Sequence, residues 1–231
     1  MSEENNDGKK QRAVILFSGG LDSTTILAYA KNKDFDCYAL SFDYGQRHDS
    51  ELNAAKKITR KFHVSEHKFI KIPLDLIGGS SLVRSSVNLE EEKYTDIPNT
   101  YVPARNLIFL SIALAWAETL KAYDIFIGVN AVDYSGYPDC RPEFIKSFQE
   151  VVKLATKEGT IGSNFKINTP LINLSKHEII ELGDSLGVDY SLTISCYQAS
   201  DEGHACGKCE ACKLRAQGFA KSNIKDPTIY K

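Results

Sequence analysis

The chain has 231 residues, 42% of them hydrophobic and 25% charged, the balance of a globular protein long enough to bury a substantial core. A net charge of -2 argues against a large nucleic-acid surface, because phosphate binding concentrates Lys and Arg. No apolar run reaches the length of a membrane span, and the opening MSEENNDGKKQR lacks the apolar stretch of a signal peptide. Residues 1–12 are therefore expected to be a disordered tail, and the protein cytoplasmic.

From residue 13 onwards, apolar β-branched runs alternate with helical periodicity. That alternation predicts a single α/β domain over 13–231, wound around a parallel sheet with helices on both faces. Residues 13–17 (AVILF) read as a buried strand, followed by a glycine turn and a helix from about residue 23. Residues 37–45 read as the second strand, 50–62 as a charged amphipathic helix and 67–72 as the third strand. The polar stretch 84–100 carries three successive glutamates and shows no clean period, which predicts a long loop, either a lid or an inert surface excursion. An apolar helix over 106–120 and a fourth strand over 125–129 follow. Pro142 sits in the first turn of a helix running towards residue 157. Ser175 is placed to cap a helix, with Glu178 completing a capping box.

The segment from Phe17 to Thr24, FSGGLDST, lies between a hydrophobic strand and a helix, where an open α/β sheet binds ligands. Two glycines let the backbone approach an anion and turn its N–H groups inward. The helix N-terminus adds partial positive charge, and Ser18, Ser23 and Thr24 add hydroxyls. A carboxylate would repel phosphate on its own, so Asp22 reads as a magnesium partner or a loop organiser. A tight turn with a capping Asp and Ser is the plain alternative. The segment matches neither GxxxxGK[ST] nor GxGxxG.

A second polar concentration, residues 128–141, follows the fourth strand. In a sheet ordered 3-2-1-4-5 it lies beside the glycine loop across the switch point. Asp133 and Asp139 would accept from a guanine-like edge, Tyr137 would stack, and Arg141 would hold a carboxylate in bidentate fashion. A turn-rich loop satisfying its own backbone is the alternative. Arg105 and Asn106, at the start of the apolar helix, and the segment 43–48 are expected at the same sheet edge. His48 alone reads as a surface histidine. Lys176, just after its helix cap, would reach phosphate or remain solvated.

Cys196, Cys206, Cys209 and Cys212 cluster in the pattern C-x9-C-x2-C-x2-C, whereas Cys37 and Cys140 stand alone. Four thiolates suffice for a closed tetrahedral zinc site; an iron–sulfur motif and a chance cluster of structural cysteines are the alternatives.

SGGLDS resembles the SGGxDS loop of the ATP pyrophosphatase (PP-loop) superfamily, which implies attack at the α-phosphate of ATP and release of AMP and pyrophosphate. Taken together, FSGGLDSTT, FDYGQRH, YVPARN, DYSGYPDCR, TPL with SKHEI, and SCY followed by CGKCEACKLRAQGF resemble, in order, the 7-cyano-7-deazaguanine synthase family. The resemblance runs from Ala13 to Phe219. It implies a Rossmann-like (adenine nucleotide alpha hydrolase-like) sheet with a C-terminal zinc-binding loop-helix. It implies ATP binding along Phe17, Ser18, Gly19, Gly20, Leu21, Asp22, Ser23, Thr24, Thr25, Ile26 and Leu27, with Ser18, Asp22, Ser23 and Lys176 in the chemistry. One structural zinc per chain on Cys196, Cys206, Cys209 and Cys212, and magnesium with the ATP, are implied as well. The implied reaction converts 7-carboxy-7-deazaguanine and ammonia to the nitrile in queuosine biosynthesis, in a homodimer without membrane or stable nucleic-acid contact. A tRNA-thiolating enzyme of the same superfamily is one competing reading. The other is a zinc module binding nucleic acid through Lys208, Lys213, Arg215 and Lys221.

Overall fold

The computed structural model describes residues 10–46, 49–83 and 97–231. Most of the predicted lid loop, and His48, lie outside the described residues. Five strands form one sheet: β1 Arg12–Leu16, β2 Asp36–Asp43, β3 Glu66–Lys71, β4 Asp124–Phe126 and β5 Lys166–Asn168. Their order is β3-β2-β1-β4-β5 and every pairing is parallel, as expected from the alternating pattern. The helices are α1 Leu21–Asn32, α2 Ser50–Lys61, α3 Arg105–Leu120, α4 Asp133–Gly136, α5 Pro142–Ala155, α6 Lys157–Thr160, α7 Lys176–Ser185 and α8 Glu210–Ser222.

β1 shows why the sheet is covered twice. Ala13 and Ile15 point into one core with α1, α2, α7 and α8, while Val14 and Leu16 point into the other with α3 and α5. This period of two, with both faces apolar, is the pattern of a central parallel strand. Ala13, Val14 and Ile15 are fully buried, and Val14 and Ile15 each contribute about 1.5–3 kcal/mol if the side chain is counted from water. Cys37 and Cys140 are buried in these two cores as small apolar residues. The strand expected over 125–129 ends at Phe126, and β5, only three residues long at the edge, has no apolar run to announce it.

Helix starts follow local chemistry. Pro142 occupies the first turn of α5, and the Ser175–Glu178 capping box opens α7. α3 has no cap of its own. Ala104 before it adopts a left-handed conformation (φ 53°), and the Asp139 carboxylate accepts from the Asn106 N–H at 2.8 Å instead. Among the described residues, no helix is long and apolar enough to cross a membrane.

Candidate active site

The ends of β1, β2 and β4 open into a cleft of about 300 Å³ on the side of the sheet where parallel strands finish. One wall is the glycine loop. Gly19 has φ +85°, and a Cβ there would lie 2.6 Å from the Glu51 carbonyl oxygen and 2.7 Å from the Ala55 nitrogen, so only glycine fits. The loop is curled around its own hydroxyls. Gly20 N–H donates to Ser18 Oγ at 3.2 Å, and Ser18 Oγ stands 3.1 Å from Ser23 Oγ. Phe17, Ser18, Gly20, Leu21, Asp22 and Ser23 line the cleft. Gly19, Thr24, Thr25, Ile26 and Leu27 do not: Thr24 donates to the Gly20 carbonyl, Thr25 to the Leu21 carbonyl, and Ile26 and Leu27 fill the core.

The structure brings Lys176 and Asp22 together across 154 residues, the ammonium standing 2.8 Å from both carboxylate oxygens. Lys176 is the first residue of α7, and its stem lies on α8 where Gly218 has no side chain: an added Cβ would come within 2.8 Å of Lys176 Cγ. Asp133, at the start of α4, lines the same cleft and accepts from Asn130 Nδ2 at 2.7 Å. Burial, and then the Asp22 charge, push its carboxyl up to about 6, with Lys176 and Arg105 opposing.

The rest of the lining includes Tyr44, Glu51, Arg105, Phe109, Tyr137 and Tyr197. The Arg105 guanidinium lies 5.8 Å from the centre of the Tyr44 ring, and Tyr137 OH shares a 2.8 Å hydrogen bond with Thr100. Asn106 also lines the cleft, but its side-chain amide donates to Cys140 Sγ at 3.0 Å. Asp139 and Arg141 are not among the lining residues. Asp139 caps α3, and Arg141 is exposed just before α5. Sequence reading passed over Glu51, Ser195 and Tyr197. Ser195 was marked only by its place next to a clustered cysteine; its Oγ accepts from the Leu21 N–H at 3.3 Å. Beside it, Ile194 N–H donates to the Gly19 carbonyl at 3.1 Å. The segment that leads into Cys196 thus touches the glycine loop twice.

Cys196, Cys206, Cys209 and Cys212 place their sulfurs within 4.8 Å of one another. Three sulfur pairs are separated by 3.5, 3.9 and 4.0 Å. A tetrahedral ion with metal–sulfur bonds of about 2.3 Å requires edges of about 3.8 Å, so the cluster fits one such ion. Backbone N–H groups of Gln198 and Cys206 point at the Cys196 sulfur, and those of Lys208 and Cys209 at the Cys206 sulfur. Burial raises the Cys206 thiol, yet those two N–H groups hold it below the ordinary thiol range. All six cysteines are free. Arg215, one of the cations available to a nucleic-acid surface, is 4% exposed. Its guanidinium donates to Thr193 Oγ1, the Tyr190 carbonyl and Asp226.

The family model described as "Queuosine biosynthesis protein QueC" matches residues 12–223. A curated protein of Pseudomonas putida (strain W619) named 7-cyano-7-deazaguanine synthase is 60% identical over 221 residues, covering 96% of this chain and 99% of that one. Another of the same name from Pseudomonas fluorescens (strain Pf0-1) is 59% identical over 230 residues, covering 100% of both chains. Among solved structures, NMN synthetase from Francisella tularensis superposes with a TM-score of 0.50 at 16% identity, over 95% of this chain and 80% of that one, a likeness of fold. With a family match across nearly its whole length and relatives this similar from end to end, the chain belongs to the QueC family of queuosine biosynthesis proteins.

Proposed function

We propose that this chain is a 7-cyano-7-deazaguanine synthase, an ATP-dependent ligase that converts 7-carboxy-7-deazaguanine and ammonia to the nitrile. The observation that carries the reading is the Asp22–Lys176 pair at the glycine loop, facing a wall of aromatic and charged side chains in one cleft. The names of its relatives supply the substrate and product.

The residues divide by chemistry. The Ser18 and Ser23 hydroxyls and the Gly20 N–H surround the space where a pyrophosphate would lie, and Lys176 would neutralise its charge. Asp22 and Asp133, whose carboxyl the Asp22 charge helps raise, fit the sparse protein ligation that magnesium takes beside phosphates. That ion supplies charge neutralisation at the departing pyrophosphate. Arg105 is placed for the substrate carboxylate, with Tyr44, Phe109 and Tyr137 for its ring. The four cysteines would hold one structural zinc, because all four positions of a closed tetrahedral site are taken by protein. A homodimer is the proposed assembly, for which the exposed Val151 and Leu154, three apart on α5, offer an apolar face.

The chemistry proceeds in two activations. The substrate carboxylate attacks the α-phosphate, pyrophosphate leaves, and ammonia displaces AMP to give the amide. The amide oxygen then attacks a second ATP, and loss of that oxygen with AMP leaves the nitrile. Incubation with ATP, ammonium and 7-carboxy-7-deazaguanine is expected to give the nitrile by mass. If the acid is returned unchanged under conditions where ATP binds, the synthase reading fails.

A further inference from the structure

Turning an ammonia nitrogen into a nitrile nitrogen releases three protons, and each needs an acceptor. One leaves as the C–N bond forms and the bond to AMP breaks. A second leaves as the amide oxygen bonds the second α-phosphate. The third leaves as that C–O bond breaks and the triple bond closes. We propose that Glu51, in the first turn of α2, is the general base that takes these protons, an inference that rests on the synthase reading.

The lining of the cleft argues for it. Among the described lining residues there are three carboxylates: Asp22, Glu51 and Asp133. Asp22 is held by the Lys176 ammonium and Asp133 by the Asn130 amide. Glu51 accepts no hydrogen bond from a described residue, so its oxygens are free to receive a proton from a bound molecule. The phenols and the Cys140 thiol of the lining titrate above neutrality even in water, and burial pushes Tyr44, Tyr197 and Cys140 higher, so they enter the reaction protonated. No described histidine lines the cleft, and His67 is tied between Ser41 and Thr59.

Position agrees with elimination. The Glu51 carbonyl backs directly onto Gly19, which fixes residue 51 against the ATP loop. It lines the same cleft as Arg105, the residue placed for the carboxylate being converted, and Tyr44, which follows β2. Burial raises the Glu51 carboxyl to about 7, with Arg105 opposing, which matches a base that must accept and release protons at neutral pH. Arg105 stays charged and Tyr44 neutral through that range, so neither would imitate its titration. Between steps Glu51 returns its proton to water entering the cleft.

The first adenylation releases no proton, and this separates a base from a binding group. In Glu51→Gln, pyrophosphate exchange into ATP driven by 7-carboxy-7-deazaguanine is expected to stay within about twofold of wild type, while nitrile formation from the 7-amide falls about a hundredfold or more. Wild type is expected to gain rate with rising pH through about 7, a limb that Glu51→Gln loses and Glu51→Asp partly restores. Nitrile formation at the wild-type rate in Glu51→Gln, or a parallel loss of exchange, overturns the assignment. Wild type that returns 7-carboxy-7-deazaguanine unconverted overturns the synthase reading and the base with it.

Discussion

Asp22→Asn is expected to lower nitrile formation by about a hundred- to a thousandfold while moving the melting temperature by only a few degrees. The amide keeps the shape of the side chain and its place at the start of α1. What it loses is the charge that holds Lys176 through two 2.8 Å contacts. Lys176 then swings free of the position from which it would meet pyrophosphate, and one of the two carboxylates fit for magnesium is gone. Asp133 also loses the repulsion that helps raise its carboxyl, so two neighbours change with one substitution. Stability is affected little, because both side chains keep some exposure to the open cleft, where water can solvate the released ammonium. Steady-state rates and thermal melts on the same preparation check both halves. Wild-type turnover in this variant would remove the glycine loop from the chemistry.

Cys209→Ser is expected to have the largest effect on stability. A serine leaves three thiolates where a closed site needs four, and Cys209 also occupies the N-cap position just before α8. α8 packs on α7, and Arg215 within it ties Thr193 and Tyr190 to the body. Loss of the ion therefore loosens more than the tail. Binding energy at a structural metal site is folding energy, so the melting temperature is expected to fall by about 10 °C or more as bound zinc drops from one per chain to none. ATP affinity should fall with it, since Ile194 and Ser195, next to Cys196, bond to Gly19 and Leu21 of the glycine loop. Elemental analysis, melting curves and ATP titration read the three effects separately. Iron and sulfide in the wild-type protein would contradict the zinc assignment.

The glycine loop, the capping box at Ser175 and the cysteine cluster were legible because each is local: a few adjacent residues carry the whole physical requirement. The same locality explains the sheet order, since β1 and β2 announce themselves as apolar runs covered on both faces. What escaped depends on long-range meeting. Nothing near Lys176 says that it grips Asp22, and nothing near Glu51 distinguishes it from the other charges of an amphipathic helix. Both are assigned by the fold, which carries α7 and α2 to the ends of the strands. The polar loop 128–141 shows the converse. Asp133 reaches the cleft, while Asp139, equally suited by residue type, serves the unsatisfied N–H at the start of α3. A carboxylate within a few residues of another can have an entirely structural occupation, and only the helix it caps reveals it.

Counting nucleotide products against nitrile is the most direct test of activation by adenylation. The glycine loop has no lysine after its glycines to draw off a γ-phosphate, and its hydroxyls and N–H groups suit two phosphates leaving as a unit. Forming a nitrile from an acid removes two oxygens, each a poor leaving group until it carries AMP. Starting from 7-carboxy-7-deazaguanine, two AMP and two pyrophosphate are expected for each nitrile. Starting from the 7-amide, one of each is expected, with no requirement for ammonium. ADP and phosphate in place of AMP and pyrophosphate, or a single AMP per nitrile from the acid, would contradict it.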